Sequence, residues 1–125
     1  MSSKDAILIE VETQGRRAEE RAIGWGEASP MAGSFYSEES PESTWDFLCK
    51  RLVPDLLGLP EHRPEEFAAW LAEINGEPFA KAGLEGAIWD VHCQEIGKPL
   101  WSILGGKKRP IQSGAAIGLM PTLED

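Results

Sequence analysis

At 125 residues and 13.7 kDa the chain has room for one modest domain and excludes a second of full size. A composition of 42% hydrophobic and 26% charged residues, with five Trp, excludes the polar bias of disordered chains. Twenty-one acidic against 12 basic residues give a net charge of -9, which repels phosphate backbones and anionic lipid surfaces, so neither nucleic acid nor membrane is expected as a partner.

No apolar run approaches the ~20 residues of a bilayer span, and no charged-then-apolar signal segment opens the sequence. A soluble, cytoplasmic protein is the expectation. Cys49 and Cys93 stand far apart with no Cys-x-x-Cys spacing, which predicts two buried free thiols rather than a zinc knuckle or redox pair.

Residues 6–13 (AILIEVET) set Ile7, Ile9 and Val11 on one face at period two and Glu10 and Glu12 on the other, the pattern of a half-buried strand. After a loop at residues 14–17, residues 21–28 (RAIGWGEA) pair back antiparallel, with Gly24 and Gly26 flanking Trp25 so that another element can approach closely. Residues 29–39 mix turn formers with Met31, Phe35 and Tyr36, an irregular loop carrying large apolar side chains. Ser40 as cap and Pro41 in the first turn start a helix with Trp45, Leu48 and Leu52 on one stripe, which Pro54 is expected to disrupt. A further helix runs from Pro64, with Phe67, Leu71 and Ile74 inward, to a stop at Asn75 and Gly76.

Residues 79–96 predict the main helix. One stripe holds Ala80, Leu84, Ala87, Ile88 and Val91 and a second holds Ala82, Trp89, Cys93 and Ile96, so the helix should be sandwiched between layers. Gly83 and Gly86 each cost about 1 kcal/mol relative to Ala in a helix, a penalty that backbone close-packing explains. Gly97 stops this helix, Pro99 starts a short one, and residues 109–120 (RPIQSGAAIGLM) read as a late strand.

The acids and histidines in these elements do not form a site by spacing. Glu85 and Asp90 are five residues apart and point about 140° away from each other on a helix. Glu85 and His92 share a face but lie about 10 Å apart along the axis, too far to share one ion. A Lys81–Glu85 pair, an Asp90 that accepts from a backbone amide or a cation in the next layer, and an exposed loop His62 are the expectations. Lys107 and Arg109 fall on one strand face, but arginine stays protonated and cannot act as a base, so a solvated basic cluster is predicted. No dinucleotide fingerprint, phosphate loop, nucleophile elbow or His-Glu-x-x-His is written in the chain.

Residues 24–38 (GWGEASPMAGSFYSE) and 80–90 (AKAGLEGAIWD), followed in order by GKPL at 97–100, LGG at 104–106 and SGAAIG at 113–118, resemble the enolase superfamily. The closest resemblance is to its o-succinylbenzoate synthase / N-acylamino acid racemase group. It implies an α+β fold: an enolase-like N-terminal capping domain, a small antiparallel sheet followed by helices, over residues 1–106, then the first strand and loop of a truncated, modified TIM barrel over 107–125. The family chain begins with another strand, so both ends are expected to be cut.

Implied too is proton abstraction next to a carboxylate by a pair of lysines on barrel strands, with Asp and Glu residues ending later strands holding Mg²⁺ against the enediolate. A barrel takes about 250 residues, so all of those groups would follow Asp125, leaving this stretch without catalytic or metal-binding residues and inactive alone. What it would supply, by the resemblance, is substrate-binding wall: Met31, Phe35 and Tyr36 from the loop over the pocket, and Ala116 where relatives often carry a serine at the barrel mouth. The implied reaction is dehydration to o-succinylbenzoate in menaquinone biosynthesis, racemisation of an N-acylamino acid, or both, on a small carboxylate substrate, in a homo-oligomer. Dipeptide epimerase and muconate cycloisomerase relatives are alternatives within the superfamily. A stand-alone binding or assembly module made from a capping domain is the alternative outside it.

Overall fold

The computed structural model describes residues 5–13, 21–32, 37–59 and 63–115. Strand β1 (Ile7–Glu12) pairs antiparallel with β2 (Ile23–Ala28) in the register Ile7 with Ala28 through Glu12 with Ile23. The alternation read from residues 6–13 is realised, with Ile7, Ile9 and Val11 turned inward and Leu8, Glu10 and Glu12 exposed. The loop at residues 14–17 lies outside the described residues.

Helix α1 (Pro41–Phe47) begins at Ser40, whose hydroxyl accepts from Ser43 N–H while Ser43 Oγ accepts from Ser40 N–H, a reciprocal cap. Pro54 does not break the helical run. A π turn (Leu48–Leu52) leads directly into α2 (Val53–Gly58), with Val53 N–H bonded to the carbonyl of Leu48. In an α-helix the proline ring collides with the carbonyl four residues back and leaves it without a donor; widening the preceding turn relieves both problems. The same geometry corrects two expectations about faces. Trp45 is 56% exposed and Thr44 takes its place beside Leu48 and Leu52, while Cys49 is exposed rather than buried.

Helix α3 (Pro64–Glu73) buries Phe67 and Leu71 as read. Gly76 and Glu77 both adopt left-handed backbone (φ 86° and 46°), reversing the chain into α4 (Pro78–Ile96). A glutamate in this region is disfavoured; here Ser43 and Thr44 hydroxyls donate to its Oε2 at 3.3 and 3.4 Å. Gly97 closes α4 in left-handed conformation, and α5 (Leu100–Ile103) follows.

Helix α4 lies across the inner face of the sheet, and the two are packed backbone to backbone. A Cβ added to Gly26 would sit 1.9 Å from the Gly83 carbonyl oxygen, and one on Gly24 would sit 2.3 Å from the Ala87 oxygen. Gly83 is less tightly constrained, its added Cβ meeting the Ala28 and Ile9 side chains at 3.0 Å. Gly86 departs from expectation, because its nearest neighbour would be Gly26 Cα at 4.0 Å, an ordinary contact. Beyond this seam the core gathers Leu48, Leu52, Phe67, Leu71, Ala80 and Leu84, with Ile7, Ile9 and Val11 closing it from the sheet. The second stripe of α4 is only partly covered: Cys93 is buried, but Ala82 and Ile96 are exposed.

Residues 109–115, the described part of the expected late strand, are exposed and carry no strand pairing among the described residues; the remainder lies outside the described residues. A strand gains its ladder only from neighbouring strands, and among the described residues none lies beside this segment.

The glycine seam predicts a sharp contrast. Gly26→Ala should cost about 3 kcal/mol or more because backbone must move, whereas Gly86→Ala should stabilise by about 0.5–1 kcal/mol through helix propensity. Urea unfolding of the two variants checks both signs.

Candidate functional site

The loop expected to carry substrate contacts leaves β2 at Ala28. Pro30 is almost fully buried and fixes its first foot, and Met31, immediately after, is 38% exposed. Buried proline beside exposed methionine projects an adaptable apolar side chain from a fixed base. Phe35 and Tyr36 lie outside the described residues, as do Ala116 and the histidine at position 62.

The second foot was not legible in the sequence. Glu39 is 7% exposed, and its Oε2 accepts from Phe79 N–H at 2.9 Å, capping the first turn of α4 where the helix dipole favours an anion. Desolvation pushes the Glu39 carboxyl above its ordinary value of 4.5, and the adjacent Glu77 carboxylate adds to the rise, against the lowering effect of the Phe79 amide. Ser37 Oγ donates to the Glu39 carbonyl at 3.4 Å, stiffening the approach. No local motif announces a cap whose recipient is 40 residues away.

On α4 the charged side chains have structural partners. Asp90 Oδ2 accepts from Trp25 N–H at 2.8 Å, the backbone-amide role expected for it. Gln94 Nε2 donates to the Ile23 carbonyl at 2.6 Å and to Asp90 at 3.1 Å, so the two side chains satisfy the outer edge of β2. The expected Lys81–Glu85 pair is not formed. Lys81 Nζ donates instead to the Ile74 carbonyl at 2.7 Å, because the C-terminal end of α3 presents a bare acceptor within its reach, and Glu85 accepts from Trp89 Nε1 at 3.4 Å. His92 stacks edge-on against Trp89 at 6.3 Å. Burial, followed by the Asp90 charge, pushes the Cys93 thiol up, which keeps it protonated and unreactive.

Beside this face, a groove of about 360 Å³ runs between α4 and α5, lined by Gly86, Asp90, Cys93, Gln94, Lys98 and Leu100 among others. Ile96, Leu100, Trp101 and Leu104 are 40–64% exposed, a run of large apolar side chains from the end of α4 through α5. Among the described residues no group of three or more His, Cys, Asp or Glu side chains is arranged to hold a metal ion, so these residues do not fit a Mg²⁺ shell. No described helix is long and apolar enough to cross a membrane.

The sequence profile of the mandelate racemase / muconate lactonizing enzyme N-terminal domain matches residues 1–105. An o-succinylbenzoate synthase from Geobacillus stearothermophilus is 39% identical over 98% of this chain and 31% of its own length. An N-succinylamino acid racemase from Thermus thermophilus is 34% identical over 82% of this chain and 28% of its own length. Among solved structures, a probable mandelate racemase from Alicyclobacillus acidocaldarius superposes with a TM-score of 0.77 at 28% identity, over 97% of this chain and 32% of that one. The chain thus spans about a third of the length of these relatives.

Two measurements follow from the side-chain geometry. Asp90→Ala should speed exchange of the Trp25 amide and cost about 1 kcal/mol, with Asp90→Asn, which keeps an acceptor, costing less; amide exchange by NMR separates the two. Because the folded Glu39 carboxyl titrates above its unfolded value, its contribution is fully present below pH ~4.5 and is lost as pH rises through the folded value. Glu39→Gln should therefore gain stability relative to the parent as pH rises from 4.5 towards neutrality, while Glu39→Ala loses the cap at about 0.5–2 kcal/mol; unfolding midpoints across that range test the slope.

Proposed function

Since the chain belongs to the mandelate racemase / muconate lactonizing enzyme N-terminal domain family, we propose that it is the capping part of an enolase-superfamily enzyme of the o-succinylbenzoate synthase / N-acylamino acid racemase group. The observation that carries this reading is the match of almost the whole chain to about a third of a synthase, together with the match of residues 1–105 to an N-terminal domain family. In this reading residues 1–106 form the cap and residues 107–125 lead into the first strand of a barrel. The exposed run of Ile96, Leu100, Trp101 and Leu104 supports it, because such an apolar face calls for further structure to cover it.

The complete enzyme would remove a proton next to the carboxylate of a small substrate, with Mg²⁺ stabilising the resulting enediolate. In this reading the contribution of the present stretch is shape. Met31 stands between the anchors Pro30 and Glu39 and, with Phe35, Tyr36 and Ala116, would furnish apolar wall against the substrate. Dehydration to o-succinylbenzoate and racemisation of an N-acylated amino acid share the first proton abstraction, so one cap can serve both.

Reading the DNA past codon 125 tests the proposal. A continuing frame with Lys-x-Lys and three spaced carboxylates supports it, and its product should turn over an o-succinylbenzoate precursor or racemise an N-succinylamino acid in a Mg²⁺-dependent manner. An immediate stop codon, with no turnover by the 125-residue chain, overturns it. In the complete product, Met31→Ala should raise KM by about tenfold with kcat little changed, the signature of a wall residue.

A further inference from the structure

The end of the loop and the start of α4 are tied together twice. Glu39 Oε2 accepts from Phe79 N–H at 2.9 Å, while the Glu39 carbonyl accepts from Ser37 Oγ at 3.4 Å. Directly after Glu39, the reciprocal cap of Ser40 and Ser43 fixes the first turn of α1. Ser43 Oγ reaches on to Glu77 Oε2 at 3.3 Å, and Thr44 Oγ1 donates to the same oxygen at 3.4 Å. Residues 39–44 therefore meet residues 77–79 through two carboxyl groups.

Those two groups are confined. Glu39 is 7% exposed, Thr44 is fully buried, and the two carboxyls lie within hydrogen-bonding reach of each other. The described charged groups on the surrounding elements are Asp5 ahead of β1, Glu38 beside Glu39, Glu42 on α1, Glu73 on α3 and Lys81 on α4. The four acids are exposed and Lys81 donates to the Ile74 carbonyl at 2.7 Å, so among these groups the charge that meets Glu39 is the like charge of Glu77. Two ionised carboxylates in contact at a shielded site repel, and a single proton between them turns the repulsion into a hydrogen bond.

We propose that Glu39 and Glu77 hold one proton between them, and that this proton closes a clasp joining residues 37–44 to the start of α4, which opens at Glu77 when the proton is lost.

The surroundings place the proton on Glu39. Glu77 already accepts two hydroxyl hydrogens, which makes it the acceptor of the pair, whereas Glu39 is the more deeply buried group and gains most from being neutral. Burial pushes the Glu39 carboxyl up first; the Phe79 amide opposes the rise and Glu77 adds to it. A hydroxyl at Glu39 Oε1 that donates to Glu77 leaves the Phe79 amide on Oε2 undisturbed.

Loss of the proton to water leaves two facing carboxylates, and the repulsion is relieved at the weaker hold. Glu39 keeps the Phe79 amide, whose bond to an ionised carboxylate strengthens at a helix N-terminus. Glu77 is half-buried and held by the two longer hydroxyl contacts, so its side chain is the one that turns to solvent. Its backbone is left-handed at φ 46°, a conformation disfavoured for a residue with a side chain, and those hydroxyl contacts help to hold it there. Once they are gone the backbone at Glu77 relaxes, and the bond from Lys81 N–H to the Glu77 carbonyl, 3.1 Å when closed, loosens. Because the folded Glu39 value is raised, the closed form is complete below pH ~4.5 and gives way as pH rises through that folded value. The clasp uses residues 37–44 and 74–81 and does not rest on the enzymatic reading.

Carboxyl-carbon NMR combined with amide exchange, from below pH ~4.5 to neutrality, tests the proposal. Expected is one shared step, in which the titration of Glu39 also shifts the Glu77 carboxyl carbon. Across that step, corrected for the intrinsic pH dependence of exchange, Lys81 protection should fall at least about threefold while Phe79 keeps its own. Glu77→Gln, which removes the like charge, should lower the Glu39 midpoint. Glu39→Gln, which carries a permanent donor, should make Lys81 protection independent of pH. The first two readings come from the parent chain, so the test does not depend on a variant folding. Separate steps at the two carbons, or Lys81 protection unchanged through the Glu39 step, overturn the proposal. So does joint loss of protection at Phe79 and Lys81, which would mean that the loop lets go of α4. A Glu39 midpoint that Glu77→Gln leaves in place overturns it too, assigning the rise to burial alone.

Discussion

The fold depends on a contact that uses almost no side chain: the backbone of β2 at Gly24 and Gly26 against the backbone of α4 at Gly83 and Ala87. Helices usually stand off a sheet by the height of a residue layer. Here two glycines in a strand and one in a helix remove that layer, and the ladder, the helix and the core beneath them take positions from the closeness of approach. Each glycine weakens its own element slightly, and the loss is offset by dispersion between atoms that larger residues would hold apart. Asp90 and Gln94 then reach over the strand edge from the same helix, converting a packing contact into a directional one.

With α4 fixed on the sheet, both feet of the loop at residues 30–39 are fixed as well. Pro30 is buried where the chain leaves β2, and Glu39 holds the first turn of α4. The described feet of the loop are thus tied to the same rigid body.

Much of this was readable from sequence because its signals are local. Alternation at residues 6–13, the Ser40–Pro41 start, the Gly97 stop and the small residues flanking Trp25 each act within a few positions, and each is realised. Asp90 was legible as an acceptor because an acid on a nearly all-apolar helix needs a donor from the next layer. The Lys81–Glu85 pairing was not, since spacing along one helix says nothing about a bare carbonyl at the end of another. Glu39 carried no signal at all, its recipient being fixed only by tertiary structure. The seam glycines show the same limit: Gly83 and Gly86 look equivalent on paper, and only the position of β2 decides which one a methyl group would disturb.

The π turn at Leu48–Leu52 also acts on the phase of the helical run. Thr44, Leu48, Leu52 and Leu56 recur every fourth residue, and in an unbroken α-helix such a row precesses by about 40° per step, drifting about 120° from first to last. Yet Thr44, Leu48 and Leu52 are buried and Leu56 is partly so against the same core. The wide turn serves as a vernier, absorbing part of the accumulated rotation so that a four-residue repeat stays aimed at one target. Removing a single residue from this stretch would therefore act less like a shortening than like a twist, swinging everything beyond it away from the core.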